Sequence, residues 1–246
     1  MRPDSKKIMC RILVAFAFTL LPVLAAAAEP DADPIEPVNR AVFWFNDQVD
    51  IYVLEPTARG WHWAMPDRVE KCVGNFFGNL RFPIVTLNNI LQGKLIDAGS
   101  DVGRFVVNTT VGVAGFFDPA TDFGLAEHYE DFGQTLGTWG LPPGPYLVLP
   151  LIGPSNFRDG VGWIADSAAA VYPWFIPWYY SAPAQGVRTV NARAQVLHDV
   201  EQLKEASFDY YSAVRDGYVR YRKAQISDSA EMSEEEQEDL YRVEPE

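Results

Sequence analysis

Gln185–Lys223 reads QGVRTVNARAQVLHDVEQLKEASFDYYSAVRDGYVRYRK, and its residues Val190, Leu197, Val200, Leu203, Phe208, Tyr211, Val214 and Tyr218 recur at helical spacing. That period lays an apolar stripe along one helix face, where a strand would alternate its faces. It is the longest helical candidate in the chain, with Gly217 as its weak point, because glycine loses the most backbone entropy in a helix. The same period returns in Val38–Leu54, through Val42, Phe45, Val49, Tyr52 and Val53, and Pro56 is expected to end that run. Pro66 opens another helix, with Asp67 and Glu70 in the first turn where the dipole favours acids. Val85–Leu91 is predicted as a short helix ending at Gly93. Ile96–Thr109 is predicted as a helix burying Phe105, Val106 and Val107, and Asp159–Val171 as one ending before Pro173. No alternating strand pattern of useful length appears, so the fold class is all-α in a single domain.

Composition narrows the function. A chain of 246 residues with 48% hydrophobic and 22% charged residues is not wholly disordered. With 20 Lys+Arg against 33 Asp+Glu the formal net charge is -13, which argues against a nucleic-acid partner. Two cysteines, Cys10 and Cys72, make no disulfide framework, and three scattered histidines make no zinc site.

The ends differ from the body. Arg2, Lys6, Lys7 and Arg11 precede the apolar run Ile12–Leu24 and the small residues Ala25–Ala28. This pattern predicts a secretory signal peptide over residues 1–28, cleaved near Ala27 or Ala28, and an extracytoplasmic mature chain. Asp228–Glu246 sets nine acidic residues against Arg242 alone, and is expected to be a solvated, disordered tail. Residues 29–227 form the domain.

Within that domain the charges are missing in blocks. None lies between Asp131 and Arg158, none between Asp166 and Arg188, and none in the shorter gap between Arg104 and Asp118. The two long gaps match a membrane span in length, but Pro142, Pro143, Pro145, Pro150 and Pro154 break the first, and Pro173, Pro177 and Pro183 the second. Two readings follow: buried core, or shallow insertion into a bilayer and the lining of a lipid-handling surface. Tyr172–Tyr180, YPWFIPWYY, favours the second, since Trp and Tyr rings prefer the membrane–water interface. Trp174, Phe175, Trp178, Tyr179 and Tyr180 are therefore candidate interfacial residues. Gly144–Gly153, GPYLVLPLIG, is expected to form a hairpin that dips into the bilayer or gates a channel, with Tyr146, Leu147, Leu149, Leu151 and Ile152 touching lipid.

Catalytic motifs are missing. The chain holds no G-x-S-x-G, H-E-x-x-H, C-x-x-C or Walker loop, and Ser155 lies in a turn composition. His62, His128 and His198 read as surface or packing residues, Cys72 as an inert buried thiol, and Gly112 and Gly115 as close-packing glycines. No catalytic residue, cofactor or metal ligand is assigned, and the chain is not read as an enzyme.

Several strings resemble the MlaA (VacJ) family. Asp33–Arg40, DPIEPVNR, with Phe45-Asn46 and Asp50, resembles its start, as does Gly78-Asn79-Leu80 with Pro83, Asn88 and Leu91-Gln92-Gly93. Arg104–Gly112, RFVVNTTVG, with Gly115-Phe116 and Asp118, is similar to its central signature. Phe132–Gly137, Gly144-Pro145-Tyr146, Leu149-Pro150, Gly153 and Arg158-Asp159 resemble its Gly/Pro-rich region, and Arg193-Ala194-Gln195 with Tyr210–Tyr221 its C-terminal helix. The resemblance covers about Asp33 to Lys223 in order, and gives Asn46, Asn79, Arg104, Asn108, Gly112, Asp118, Arg158 and Asp159 as family-motif structural residues.

It implies a helical, ring-like body with a central channel, in the inner leaflet of the outer membrane. It implies transfer of mislocalised phospholipids from the outer leaflet to a soluble periplasmic carrier of the MlaC type, and association with a porin trimer, maintaining lipid asymmetry without cofactors. Family members are typically lipoproteins, whereas Leu21–Glu29 contains no cysteine and Cys10 precedes the apolar run. A lipid anchor is accordingly not expected here. The alternative is a non-enzymatic membrane-associated structural or virulence-related surface protein.

Overall fold

A computed structural model describes residues 33–170 and 176–227. The predicted signal peptide, the acidic tail, Trp174 and Phe175 lie outside the described residues. The body is all-α but for one hairpin. Helix α1 is Glu36–Val49; a π-helical turn, Asp50–Leu54, carries it into α2, Glu55–Ala64. Pro56 was expected to end this run and does not. The Glu55 N–H bonds the Asp50 carbonyl five residues back, and this wider turn absorbs the proline where an α-turn would clash.

Pro66 precedes α3, Asp67–Leu80, as predicted, and α4, Phe82–Leu91, runs out at Gly93 with φ +82°. Next come α5, Leu95–Thr110, and the short α6, Pro119–Asp122, and α7, Phe132–Thr138. Strands β1, Tyr146–Leu149, and β2, Gly153–Asn156, pair antiparallel in the register Tyr146↔Asn156 to Leu149↔Gly153. Four residues per strand are too few for alternation to stand out in the sequence. Helix α8, Phe157–Ala169, follows directly.

The long candidate Gln185–Lys223 is three helices: α9, Trp178–Gln195, α10, Leu197–Ala206, and α11, Tyr210–Ile226. Gly217 does not break α11. The breaks fall at Val196 and at Ser207–Asp209, where the Asp209 carboxylate accepts the Tyr211 N–H and starts a new helix. Pro183 sits inside α9 without ending it.

The interior is polar. Among the described residues, seventeen buried side chains are polar or charged and nine are apolar, and the largest fully buried ones are Gln134, Asn39, Asn88, Asn89 and Thr135. Helix α5 shows the inversion. Its buried residues are Ala98, Asp101, Arg104 and Asn108, while Val106, expected inside, is exposed and Phe105 and Val107 are half-buried. Large apolar side chains are instead exposed on many elements, Trp44, Trp63 and Ile96 among them. A water-soluble monomer has no reason to expose apolar surface on this scale. No helix among the described residues is long and apolar enough to cross a membrane.

Candidate functional site

The hairpin is held against α1 by two asparagines seven residues apart, which two helical turns place on one face. Asn39 Nδ2 donates to the Tyr146 carbonyl at 2.9 Å, and its Oδ1 accepts the Val148 N–H at 2.9 Å. Asn46 repeats the pattern: Nδ2 donates to the Leu149 carbonyl at 3.0 Å and Oδ1 accepts the Leu151 N–H at 2.8 Å. The asparagines thus occupy a strand edge that would otherwise seek another chain. Asn39 was legible only as part of the Asp33–Arg40 string.

The hairpin residues expected to meet lipid divide. Tyr146 is buried and packs with Val148 and Tyr211, which corrects its assignment: it belongs to an apolar cluster of the interior. Leu147 is half-buried. Leu149 and Ile152 line a cavity, and Leu151 stands at the tip, 72% exposed and at φ +64°. In the aromatic segment Trp178, Tyr179 and Tyr180 are all exposed on the first turn of α9, ring against ring.

The cavity, of about 1020 Å³, opens between α3, α4, the hairpin, α8, α9 and α11. Its lining includes apolar side chains, Phe76, Phe77, Leu80, Ile84 and Trp163 with the hairpin leucine and isoleucine. It also carries charge: Arg81, Asp131, Asp159, Asp166, Arg188 and Arg222. Arg222 spans two carboxylates. Its Nε donates to Asp159 Oδ2 at 2.8 Å, and Nη1 and Nη2 donate to Asp131 at 2.6 and 2.9 Å. Tyr218 Oη and Asn156 Nδ2 also donate to Asp159 Oδ2, at 2.6 and 2.7 Å, and Arg158 Nε to Oδ1 at 2.9 Å. Burial alone would raise both carboxyls; the hydrogen bonds and charge of Arg222 outweigh it and hold them below the usual carboxylate range. Asp166 has no such partner, and burial pushes it upward.

Glycines let these walls close. A Cβ on Gly162 in α8 would fall 2.3 Å from the Gly133 nitrogen and 2.7 Å from its Cα in α7. The carboxylate of Asp131 caps α7 by accepting the Gln134 N–H at 2.9 Å, so one side chain both starts the helix and meets Arg222.

The central signature builds a second buried network. Arg104 donates to both oxygens of Asp118 at 3.0 Å, and Asn108 Nδ2 donates to the same carboxylate at 2.8 Å. Asp118 is held below its ordinary value, because hydrogen bonds from Thr121, Asn108 and Arg104 together outweigh its burial. Gly112 permits the tight return: a Cβ there would lie 2.3 Å from the Phe117 carbonyl. Asn79 donates to Thr109 Oγ1 at 3.0 Å beneath Gly115, whose φ is +88°. Of the histidines read as isolated, His128 meets Asp101 at 2.8 Å. The ligand atoms of His62, Asp67 and Glu70 lie within 4.8 Å of one another. Cys72 is half-buried on α3.

The charged lining residues missed from the sequence include Asp131, Asp166, Arg188, Arg81 and Arg222. Three of them bound the charge-free gaps, and that was their signal: where charges are few, those that remain are used. Arg222 carried no such mark.

Comparison with known proteins identifies a family. The model of a family described as MlaA lipoprotein matches residues 31–225. An intermembrane phospholipid transport system lipoprotein MlaA of Escherichia coli K12 is 34% identical over 212 residues, 83% of this chain and 82% of that one. Its counterpart in Haemophilus influenzae is 32% identical over 203 residues, covering 80% of each. An uncharacterised protein of Rickettsia conorii is 36% identical over 199 residues, 79% of this chain and 78% of its own. A solved structure described as the structural basis for maintenance of bacterial outer membrane lipid asymmetry superposes with a TM-score of 0.70 at 33% identity, over 79% of this chain and 99% of that one.

Proposed function

The chain belongs to the MlaA family, and from that premise we propose that it is the outer-membrane component of an intermembrane phospholipid transport system that maintains lipid asymmetry. In this reading the ring-like body sits in the inner leaflet of the outer membrane. Mislocalised phospholipids leave the outer leaflet through its channel and pass to a soluble periplasmic carrier of the MlaC type, beside a porin trimer.

The observation that carries the reading is a cavity lined both by large apolar side chains and by charged ones. A phospholipid crossing a leaflet must keep its headgroup solvated and its acyl chains out of water, and each surface alone fails one half of the molecule. The outward apolar side chains support a seat in hydrocarbon, and with no lipobox cysteine after the apolar run they supply the attachment. Trp178, Tyr179 and Tyr180 suit the headgroup level of such a seat. The activity is transport along a path that no covalent step drives.

The test is a strain lacking the gene, assayed for phospholipid in the outer leaflet. Accumulation that the restored gene reverses is the expected result. An unchanged outer leaflet would leave the structural or virulence-related reading in its place.

A further inference from the structure

Two charges in the cavity wall have no opposite charge beside them. Asp166 on α8 is hydrogen-bonded by neutral donors: the Phe132 N–H at 2.9 Å to Oδ2 and Asn88 Nδ2 at 3.1 Å to Oδ1. Arg81, at the junction of α3 and α4, has no carboxylate within the 4.0 Å of an ion pair among the described residues. Both line the same cavity. The other carboxylates of that lining are paired: Asp131 and Asp159 share Arg222.

A partly dehydrated charge without a counter-charge costs free energy that a ligand of opposite sign recovers. A cation and an anion left apart beside apolar side chains are the complement of a zwitterion that carries acyl chains. Guanidinium suits a phosphodiester because its planar donors match two oxygens at once. We propose that Arg81 and Asp166 form a headgroup subsite for zwitterionic phospholipid, the phosphodiester on Arg81 and the ammonium on Asp166. The inference rests on reading the cavity as the lipid path. It adds a preference: an anionic glycerol headgroup offers Arg81 the same phosphodiester but sets only hydroxyls against Asp166.

The experiment presents the purified full-length chain, in mild detergent, with equal amounts of phosphatidylethanolamine and phosphatidylglycerol, and counts the lipid retained by native mass spectrometry. The unmodified chain retains phosphatidylethanolamine in excess. Asp166→Asn keeps an oxygen for the Phe132 N–H, and it lowers the ratio of the two lipids about tenfold by loss of phosphatidylethanolamine, the scale of one charge-assisted contact. Arg81→Gln lowers both lipids together, and Arg81→Lys restores part of each; with no ion pair to break, neither disturbs the fold. An unchanged ratio in Asp166→Asn, with both lipids still bound, overturns the subsite and leaves the lipid path standing. A chain that retains neither lipid overturns both.

Discussion

Replacing Arg222 by Met removes the cation shared by Asp131 and Asp159 while keeping most of the side-chain volume. In the native protein Arg222 is buried, and its guanidinium makes three charge-assisted bonds to those carboxylates at 2.6–2.9 Å. Breaking a buried ion pair from one side leaves an uncompensated charge and typically costs about 3–5 kcal/mol. For a domain of this size each kcal/mol moves the melting temperature by roughly 2–4 °C, so a fall of about 6–20 °C in mild detergent is expected.

The pH dependence makes the test specific. Both carboxyls are held below their unfolded values in the native protein. Their contribution to stability is therefore present above the ordinary carboxylate pKa of ~4 and is lost as pH falls through the lower folded values. Without Arg222 Asp159 keeps Arg158, but burial raises Asp131 in the folded state, and for that group the sign reverses: the variant loses stability as pH rises through ~4 and upward. The gap in melting temperature between the two proteins should be widest near pH 7 and shrink toward pH 4. The double change Arg222→Met with Asp131→Asn should recover most of the loss, because Asp159 keeps Arg158 at 2.9 Å and no buried charge is then left alone. A gap independent of pH, or a double variant no better than the single, would refute the assignment.

Three further expectations follow from the same geometry. Gly162→Ala sets a methyl 2.3 Å from the Gly133 backbone, which cannot move as a side chain can; overpacking should cost about 1–3 kcal/mol, read as a lower melting temperature. Trp178→Ala with Tyr179→Ala removes two exposed rings, so melting in detergent should shift by only about 0.5 kcal/mol while membrane retention falls on fractionation; a collapse in melting would place those rings in a core. Leu149→Asp with Leu151→Asp puts charge on the cavity wall and the exposed hairpin tip. At membrane depth each charge costs roughly 2.5–3.5 kcal/mol, so lipid transport should drop with the helical circular dichroism unchanged, and undiminished transport would reduce the tip to ordinary surface.

The positions of the helices were legible because period survives whichever way a helix faces. Leu95–Thr110 was placed to within one residue at each end. Its facing was not legible, because the rule that apolar residues go inside assumes water outside. In α5 that rule selected Val106 for the interior, where Asp101, Arg104 and Asn108 stand. The hairpin was visible through its prolines and apolar centre, but the strands were not. What pins them is a pair of helix asparagines, and a hydrogen bond from a side chain to a distant backbone leaves no local period.

The inversion also explains why the motif residues are polar. In a water-soluble core, burial of apolar area defines which helices meet, and polar residues are tolerated where they find partners. Where hydrocarbon surrounds the body, apolar side chains gain little by turning inward. The choice of partner then falls to polar groups that have nowhere else to bond. Arg104 with Asp118 ties one helix to the next, while Asn39 and Asn46 with the hairpin and Arg222 with Asp131 and Asp159 join elements far apart in sequence. A carboxylate that accepts from a guanidinium on another element has few geometries in which it is satisfied. A cavity lined by both charged and apolar side chains can be kept open by this means, since the bonds of Arg222 to Asp131 and Asp159 order the elements around it.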